Sequence, residues 1–446
     1  MPALRALLLL LFVLVPACPA ASSEEPDGPL KAYVEKPDAS YRWVVRREGK
    51  VGSSTYAELI LTSQTWRDIV WKHQLFVLKP AKIASPTKHA LLLISGGSWR
   101  DGLERPPTDG ETLPGDARAF ARVAEILGTP VAVLRHVPHQ PILGGLHEDQ
   151  IISLTFEKYI RTKDPEWPLL LPMVKSAVRG MDTTQEYCKQ EWDLDVQTFT
   201  VTGASKRGWT TWLVGAVDSR ATALAPMVID MLNVGQQMEH QRKAWGDYSY
   251  KIRDYTERGL PRLIESPEGK QLTQIIDPFH YRKKLTQPKL ILIGTNDHYW
   301  PLDALNLYWD DLPADKYIVY VPNNRHGLND HARVVGSINA LHQHVARGKP
   351  LPKLRWKFEL NKAEATLHVD SDIAPERVRI WAATSETRDF RGARWQSYPT
   401  KTVDKRYEGT LERPASVYGA MFGEAQFTMN GVPYYLSTNV GIAPPP

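Results

Sequence analysis

The sequence predicts an α/β fold with a mostly parallel sheet and helices on both faces, followed by a smaller all-β, sandwich-like domain. Short apolar runs typical of buried strands, at residues 89–94, 288–294 and 316–321, alternate with helix-compatible stretches. After Gly348 this alternation gives way to five short β-like runs separated by turn residues. A length of 446 residues with 42% hydrophobic residues suffices for two or three domains with apolar cores.

The predicted domain boundaries follow these changes in pattern. Residues 1–20 combine a short positive start, an apolar run and small residues, which is the pattern of a secretory signal peptide. Residues 30–348 form the α/β domain, with a polar and aromatic helical insertion at about 233–284, and residues 353–446 form the β domain. We therefore expect an exported protein, either periplasmic or secreted.

The two cysteines bear on export and on chemistry. The tetrapeptide that ends at Cys18 loosely resembles a bacterial lipobox, so a lipid anchor at Cys18 is the alternative to cleavage after Ala20. Pro16 weakens that match, and no other segment is long and apolar enough to cross a membrane. Cys188 is then alone in the mature chain, which excludes an internal disulfide, and a buried structural thiol is its simpler interpretation.

Residues 198–213, TFTVTGASKRGWTTWL, predict a nucleophile at a strand-to-helix turn. A buried strand ends there, Ser205 stands in the tight turn, and a helix starts directly after it. The common pattern for such a turn is Gly-x-Ser-x-Gly, whereas here Arg207 takes the second position after the serine and Gly208 the third. An ordinary strand-to-helix turn with a capping serine is the alternative interpretation.

Two later strand ends supply the partners that a serine nucleophile needs. In an α/β-hydrolase sheet an acid and then a histidine follow the serine, each just past a later strand. Asp297 follows the strand at 288–294, and His326 follows the strand at 316–321. His326 would take the proton from Ser205, and Asp297 would orient the imidazole and stabilise its cation. This order favours a catalytic triad over a turn aspartate and an unrelated surface histidine.

The oxyanion site is predicted from two backbone segments. The N–H of Lys206 begins the helix after the serine, and the glycine pair after residues 89–94 lets the N–H of Gly97 or Ser98 approach a substrate. A simple tight turn is the alternative for that pair. The side chains of Lys206 and Arg207 are candidates for binding a substrate carboxylate, with a structural ion pair as the equal alternative for Arg207.

Three tryptophans and a histidine-rich loop complete the candidates. A tryptophan stands beside the glycine pair, beside the serine and beside Asp297, namely Trp99, Trp209 and Trp300. All three are candidates for lining an acyl or sugar pocket, although packing under the helix suits Trp209 better. Residues 136–149 hold three histidines and two acids, but their spacing fits no established metal motif. We expect a loop that lines the site, without a metal or a cofactor.

These stretches resemble the PhoPQ-activated pathogenicity-related protein family. The resemblance covers most of the chain after the signal and rests on HVPHQPI, LPMVKSAVRGMD, TGASKRGW, APMVIDMLN, DPFHYRKKLTQPKLILIGTND, YWDDLP, YVPNNRH and IWAATSETRDFRGARW. It implies an exported α/β-hydrolase whose active-site triad is Ser205, Asp297 and His326. The nucleophile elbow, which is the strand-to-helix turn that holds Ser205, is also similar to that of glucuronoyl esterases. This similarity implies that Lys206 helps to stabilise the oxyanion. Trp209 stands where those enzymes have lysine, so their substrate does not carry over.

The sequence therefore predicts an exported serine hydrolase that cleaves an ester, or an amide, through an acyl-enzyme on Ser205. A carboxylic ester is expected before a peptide, and small-molecule esters, sugar esters and peptides are the expected substrates. Two basic residues at the elbow suggest the further hypothesis of anionic or sugar-acid substrates. A net charge of only +5 gives no basic footprint for nucleic acid. The alternative is a secreted signalling or binding protein without turnover, a role that the resembled family suggests.

Overall fold

The computed structural model describes residues 28–84, 87–360, 364–404, 406–412 and 416–445. The predicted signal peptide and Cys18 lie outside these ranges. Within them, no helix combines the length and the apolar character that crossing a membrane requires.

The first nine strands of the described chain build the predicted α/β sheet. They are β1 (Arg42–Val51), β2 (Ser54–Trp66), β3 (Ile69–Lys79), β4 (His89–Ile94), β5 (Val131–Leu134), β6 (Thr198–Ala204), β7 (Ala221–Met227), β8 (Lys289–Gly294) and β9 (Lys316–Val321). Their order across the sheet is β1-β2-β3-β5-β4-β6-β7-β8-β9. From β5 to β9 neighbouring strands are parallel, and β1 to β3 add an antiparallel edge. The predicted mostly parallel sheet is confirmed.

Helices cover both faces of this sheet, as the alternation of strands and helices predicts. They are α1 (Pro29–Glu35), α2 (Gly115–Leu127), α3 (Glu148–Thr162), α4 (Leu170–Trp192), α5 (Lys206–Val217), α6 (Val234–Trp245), α7 (Arg253–Thr256), α8 (Leu260–Leu263), α9 (Pro267–Ile276) and α10 (His331–Arg347). Successive side chains of a strand point to opposite faces. Leu92 of β4 therefore packs into the core that α4 and α5 cover, and Leu93 into the core under α2 and α10.

Between β7 and β8 the chain leaves the sheet to form α6 to α9. These helices and the 3-10 helix Pro278–Lys284 occupy the span in which the insertion is predicted. α9 lies against α3, which places the insertion over the carboxyl ends of the strands that carry Ser205 and Asp297. That edge is where open α/β sheets bind their ligands.

The last nine strands make up the β-rich C-terminal part. They are β10 (Leu354–Leu360), β11 (Glu364–Ser371), β12 (Arg377–Ser385), β13 (Gln396–Pro399), β14 (Lys401–Val403), β15 (Arg406–Glu412), β16 (Tyr418–Met429), β17 (Val432–Ser437) and β18 (Gly441–Ala443). The strands β10, β11, β15 and β14 form a separate antiparallel sheet, and the others continue the large sheet beyond β9.

The join between the two parts of the chain is a strand pair, β9 with β17, where Ile318 pairs with Ser437. At that pair β17 covers part of the edge of β9, which would otherwise expose unpaired backbone groups. The small sheet packs on the extension so closely that a Cβ on Gly423 would lie 2.7 Å from Val369 Cγ2. The region predicted at 353–446 is therefore two-layered, as expected, but one of its layers is a continuation of the large sheet.

Candidate active site

Ser205 stands at the turn between β6 and α5 in a strained backbone conformation. Its φ of 60° and ψ of −128° lie where non-glycine residues are rarely found, at a cost of roughly 1–3 kcal/mol. The N–H of Ser205 donates to the carbonyl oxygen of Met227 at 2.8 Å. Within the described chain its side chain makes no capping hydrogen bond to α5, which disfavours the capping-turn interpretation.

The shifted glycine of the elbow has a packing reason. A Cβ on Gly208 would lie 2.7 Å from Ile229 Cγ2 and 2.9 Å from the Met227 carbonyl oxygen, closer than real Cβ atoms approach. A Cβ on Gly203 would lie 2.7 Å from the Arg207 carbonyl oxygen. The glycine at the third position after the serine therefore permits the close contact of helix and strand.

Asp297 and His326 are paired at the carboxyl ends of β8 and β9. Nδ1 of His326 lies 2.8 Å from Oδ2 of Asp297, and Oδ1 of Asp297 accepts the N–H of Tyr299 at 3.0 Å. The Tyr299 ring packs against the imidazole with the two centroids 4.2 Å apart. The carboxylate thus fixes the ring and selects the tautomer in which Nδ1 carries the proton.

The opposite nitrogen of the imidazole differs from Nδ1 in its surroundings. Among the described residues, Nε2 of His326 is buried and has no hydrogen-bond partner. In the tautomer that Asp297 selects, Nε2 is the acceptor. Ser205 and His326 line the same cavity, so the structure gathers the three residues that the sequence predicts as a triad.

The loop after β4 lies beside the elbow. Gly97 is exposed with a φ of +115°, and its carbonyl oxygen accepts a hydrogen bond from Nε2 of Gln140 at 3.2 Å. A Cβ on Gly96 would lie 2.5 Å from Nη2 of Arg207, so only glycine leaves room for that guanidinium. The N–H of Lys206 belongs to the first turn of α5, where backbone donors lack helical partners. The oxyanion roles of Gly97, Ser98 and Lys206 stay predictions.

The guanidinium of Arg207 is held by protein acceptors. Nη1 and Nη2 donate to the two carboxylate oxygens of Glu148 at 2.7 and 2.6 Å, and Nε donates to the carbonyl oxygen of Val137 at 2.5 Å. Each of its three nitrogens is thus already engaged. Of the two alternatives for Arg207, the structural ion pair is favoured over binding of a substrate carboxylate.

Lys206 is paired in the same way. Its Nζ lies 3.0 Å from Oε2 of Glu148 and 3.3 Å from Oδ2 of Asp149. Burial by itself would raise the pKa of Glu148, but the hydrogen bonds and charge of Arg207, together with the charge of Lys206, hold that pKa at about 2. Both basic residues after the serine are therefore neutralised by carboxylates.

The three tryptophans divide between two environments. The described lining of the cavity includes Trp209 and Trp300 and does not include Trp99. Trp209 also donates through Nε1 to the carbonyl oxygen of Ile276 at 2.5 Å, so its ring both packs and lines the cavity. Trp99 packs edge-on against His136, with the ring centroids 5.8 Å apart.

Two further candidates are the histidine-rich loop and Cys188. The described residues contain no group of three or more His, Cys, Asp or Glu side chains arranged to hold a metal ion. Burial lowers the pKa of His136 to about 3, and its Nε2 lies 3.0 Å from Oε1 of Gln74. Cys188 is buried in α4, and burial raises the pKa of its thiol to about 12. A thiolate nucleophile is therefore disfavoured, and the structural interpretation of Cys188 holds.

Sequence reasoning missed the C-terminal residues that hold the triad loops. Nδ2 of Asn296 donates to the carbonyl oxygen of Ala393 at 2.7 Å. Asn323 exchanges two hydrogen bonds with the backbone of Trp395, at 2.9 and 2.8 Å. Their position in the chain was the available signal, because Asn296 directly precedes the predicted acid, Asp297, and Asn323 stands three residues before the predicted base, His326.

The ion pair of Arg207 generates a prediction about acid stability. The folded-state pKa of Glu148 is depressed to about 2 from an ordinary 4.5, so its stabilisation is present above about pH 4.5 and is lost as the pH falls toward 2. We expect Arg207→Met to lower the free energy of unfolding by about 1–2 kcal/mol at pH 7, a figure discounted for the partial exposure of Glu148. Urea unfolding of both proteins should show the difference narrowing below pH 4.5.

The matched control for this prediction is Arg118→Met, because Arg118 is an exposed helical arginine in α2. Its unfolding free energy should stay within about 0.5 kcal/mol of the parent protein. A deficit for Arg207→Met that is the same at pH 7 and pH 3 would contradict the assignment of the ion pair.

Comparison with known proteins places the chain in a family. The sequence model of the PhoPQ-activated pathogenicity-related protein matches residues 30–391. Autocrine proliferation repressor protein A of Dictyostelium discoideum is 31% identical over 435 residues, which cover 90% of this chain and 86% of that protein.

Two similar solved structures are titled as esterases. An acetyl xylan esterase from Paenibacillus sp. R4 is 13% identical, with a TM-score of 0.47 over 70% of this chain and 92% of that chain. A glucuronoyl esterase from Solibacter usitatus is 14% identical, with a TM-score of 0.39 over 70% of this chain and 91% of that chain. From the match of the family model over residues 30–391, the chain belongs to the PhoPQ-activated pathogenicity-related protein family.

Proposed function

We propose that this chain is a serine hydrolase that cleaves carboxylic esters through an acyl-enzyme on Ser205. The observation that carries the proposal is the imidazole of His326, which Asp297 holds at Nδ1 while Nε2 is buried and without a partner among the described residues. The carboxylate orients the base at Nδ1 and leaves Nε2 able to accept a proton, in a cavity that Ser205 also lines. The hydrogen bond from Ser205 Oγ to Nε2, which the structure does not show among the described residues, would form as substrate binds.

The proposed steps follow from that arrangement. Nε2 of His326 accepts the proton of Ser205 as Oγ attacks the ester carbonyl, and Asp297 stabilises the imidazolium. The oxyanion is assigned to the N–H of Lys206 and that of Gly97 or Ser98. The imidazolium then protonates the leaving alcohol, and water attacks the acyl-enzyme with the same histidine as its base.

The shape of the cavity favours a small ester over a peptide. The cavity has about 820 Å³ of empty space, part of it open to solvent, and the insertion helices α6 to α9 form much of its wall. A concave site lined mostly by apolar side chains is the kind of site that small molecules occupy.

A second candidate function is signalling or binding without turnover. The relative in Dictyostelium is named a repressor of autocrine proliferation, which is a statement about that protein. The strained backbone of Ser205 and the Asp297–His326 pair weigh against this candidate for the present chain, because a binding surface needs neither.

Labelling with a fluorophosphonate separates the two candidates. We expect the wild-type protein to be labelled once, and Ser205→Ala to remain unlabelled, because the probe reacts with an activated serine. Replacing the base in His326→Gln should slow labelling by roughly a thousandfold or more. Circular dichroism of each variant controls for folding. A folded wild-type protein that takes up no label would leave signalling or binding as the better reading.

The asparagines beside the triad should act on turnover. Asn296→Ala removes the hydrogen bonds that hold the Asp297 loop against the C-terminal part, so we expect kcat for ester hydrolysis to fall about tenfold to a hundredfold with little change in KM. The matched control is Asn306→Ala, which removes a similar hydrogen bond to the carbonyl oxygen of Val440, at 3.0 Å, away from the triad. Equal effects of both variants on kcat would argue against a positioning role for Asn296.

Export is also part of the proposal, and it is supported by the signal-like residues 1–20. Cleavage after Ala20 should give an exported protein whose intact mass is that of residues 21–446. A mass that begins at Cys18 with added acyl chains would instead support the lipid anchor. Full-length mass in the cytoplasmic fraction alone would contradict export by either route.

A further inference from the structure

The cavity at the triad has two chemically different ends. Its charged groups contact one another around Ser205, since Lys206 pairs with Asp149 and Asp149 accepts the hydroxyl of Tyr255 at 2.9 Å. Away from them the lining is apolar, and fourteen of the twenty-one described lining residues carry apolar side chains, counting the indole rings and the thioethers of two methionines. The cavity is therefore a polar reaction centre that opens into an apolar chamber.

The apolar chamber belongs mainly to the insertion. Met238 of α6, Leu260 of α8, and Leu272 and Ile276 of α9 line it and are all less than 9% exposed. Trp209 closes it from the sheet side, and the one polar atom of its side chain already donates to Ile276. Hydroxyl groups of a sugar would find few partners there, and each buried unpaired hydroxyl weakens binding by roughly tenfold to a hundredfold.

The polar end does not favour an anionic substrate either. The ammonium of Lys206 lies between Glu148 and Asp149, and the guanidinium of Arg207 lies on Glu148. A substrate carboxylate would have to displace a carboxylate of the protein. The hypothesis of sugar-acid substrates, which rested on two free basic side chains, loses that support.

We infer that the substrate is an ester with an extended hydrophobic chain, and that the chamber under α6 to α9 holds this chain while the ester carbonyl lies at Ser205. The inference rests on the proposed function of Ser205 for the reaction, and on the cavity lining for the choice of substrate. Burying apolar surface drives the selection, because each methylene that enters the chamber leaves water. The hydrophobic chain of the substrate belongs either to the acyl group or to the alcohol of the ester.

Two series of esters test the inference and separate these sources. In the first series p-nitrophenol is constant and the acyl chain grows from acetyl to decanoyl; in the second, acetyl is constant and the alcohol grows from ethyl to decyl. We expect kcat/KM to rise about two- to fourfold per methylene in one series until the chamber is full. Flat or falling profiles in both series, with Ser205 fully labelled by fluorophosphonate, would overturn the inference while leaving the proposed function intact.

A bulky residue in the chamber should change the selectivity. Met238→Trp fills part of the chamber, so the ratio of kcat/KM for decanoyl to that for acetyl esters, or the same ratio in the alcohol series, should fall at least about tenfold. Glu239→Trp is the matched control, because Glu239 is the next residue of α6 and its side chain is exposed to solvent. If the selectivity ratio of a folded Met238→Trp protein is unchanged, the hydrophobic chain of the substrate does not bind in the chamber.

Binding to Ser205→Ala separates the chamber from catalysis. Uncharged 2-alkanones from butanone to decanone should bind about fourfold tighter per added methylene, measured by calorimetry. If fluorophosphonate labelling fails and this series still tightens, the proposed reaction is wrong and the hydrophobic ligand site stands. No dependence on chain length would overturn the site itself.

Discussion

The ion pair between Arg207 and Glu148 is the interaction on which the arrangement of the site depends. Arg207 follows the serine by two residues, its guanidinium fills the space beside Gly96, and its Nε is bound to the chain after β5. Gln140 extends the pair, because its side chain donates to both Glu148 and Gly97. One half-buried charge pair thus connects the elbow, the glycine loop and the start of α3. Arg207 departs from the common Gly-x-Ser-x-Gly pattern, and it is also the residue that holds the loops around Ser205 together.

The sequence was sufficient for the features that depend on chain order, and insufficient for those that depend on side-chain direction. Asp297 and His326 could be predicted because their strands end at the same edge of a parallel sheet as the strand of Ser205. The pairing of Arg207 could not be decided, because a guanidinium at that position can face a ligand or a carboxylate. The long-range hydrogen bonds of Asn296 were out of reach, since no local pattern specifies a partner about a hundred residues later.

The sequence predicts the C-terminal part as a small domain of its own, because short β-like runs there replace the alternation of strands and helices. Sheet extension is difficult to predict because alternating polar and apolar residues fit an edge strand of either sheet. The short contact of β17 with β9 joins the extension to the large sheet. The C-terminal part also contacts the loops that carry Asp297 and His326, through Ala393 and Trp395.

The contact between Asn296 and Ala393 has a consequence for the order in which the molecule forms. The two residues are 97 positions apart, and Asn323 and Trp395 are 72 apart. During synthesis, Ser205, Asp297 and His326 leave the ribosome before Ala393 and Trp395, whose backbone groups contact the loops of Asp297 and His326. Closing such distant contacts costs entropy and slows folding. The contacts that hold the loops of Asp297 and His326 can therefore form only after residues 393–395 have been synthesised.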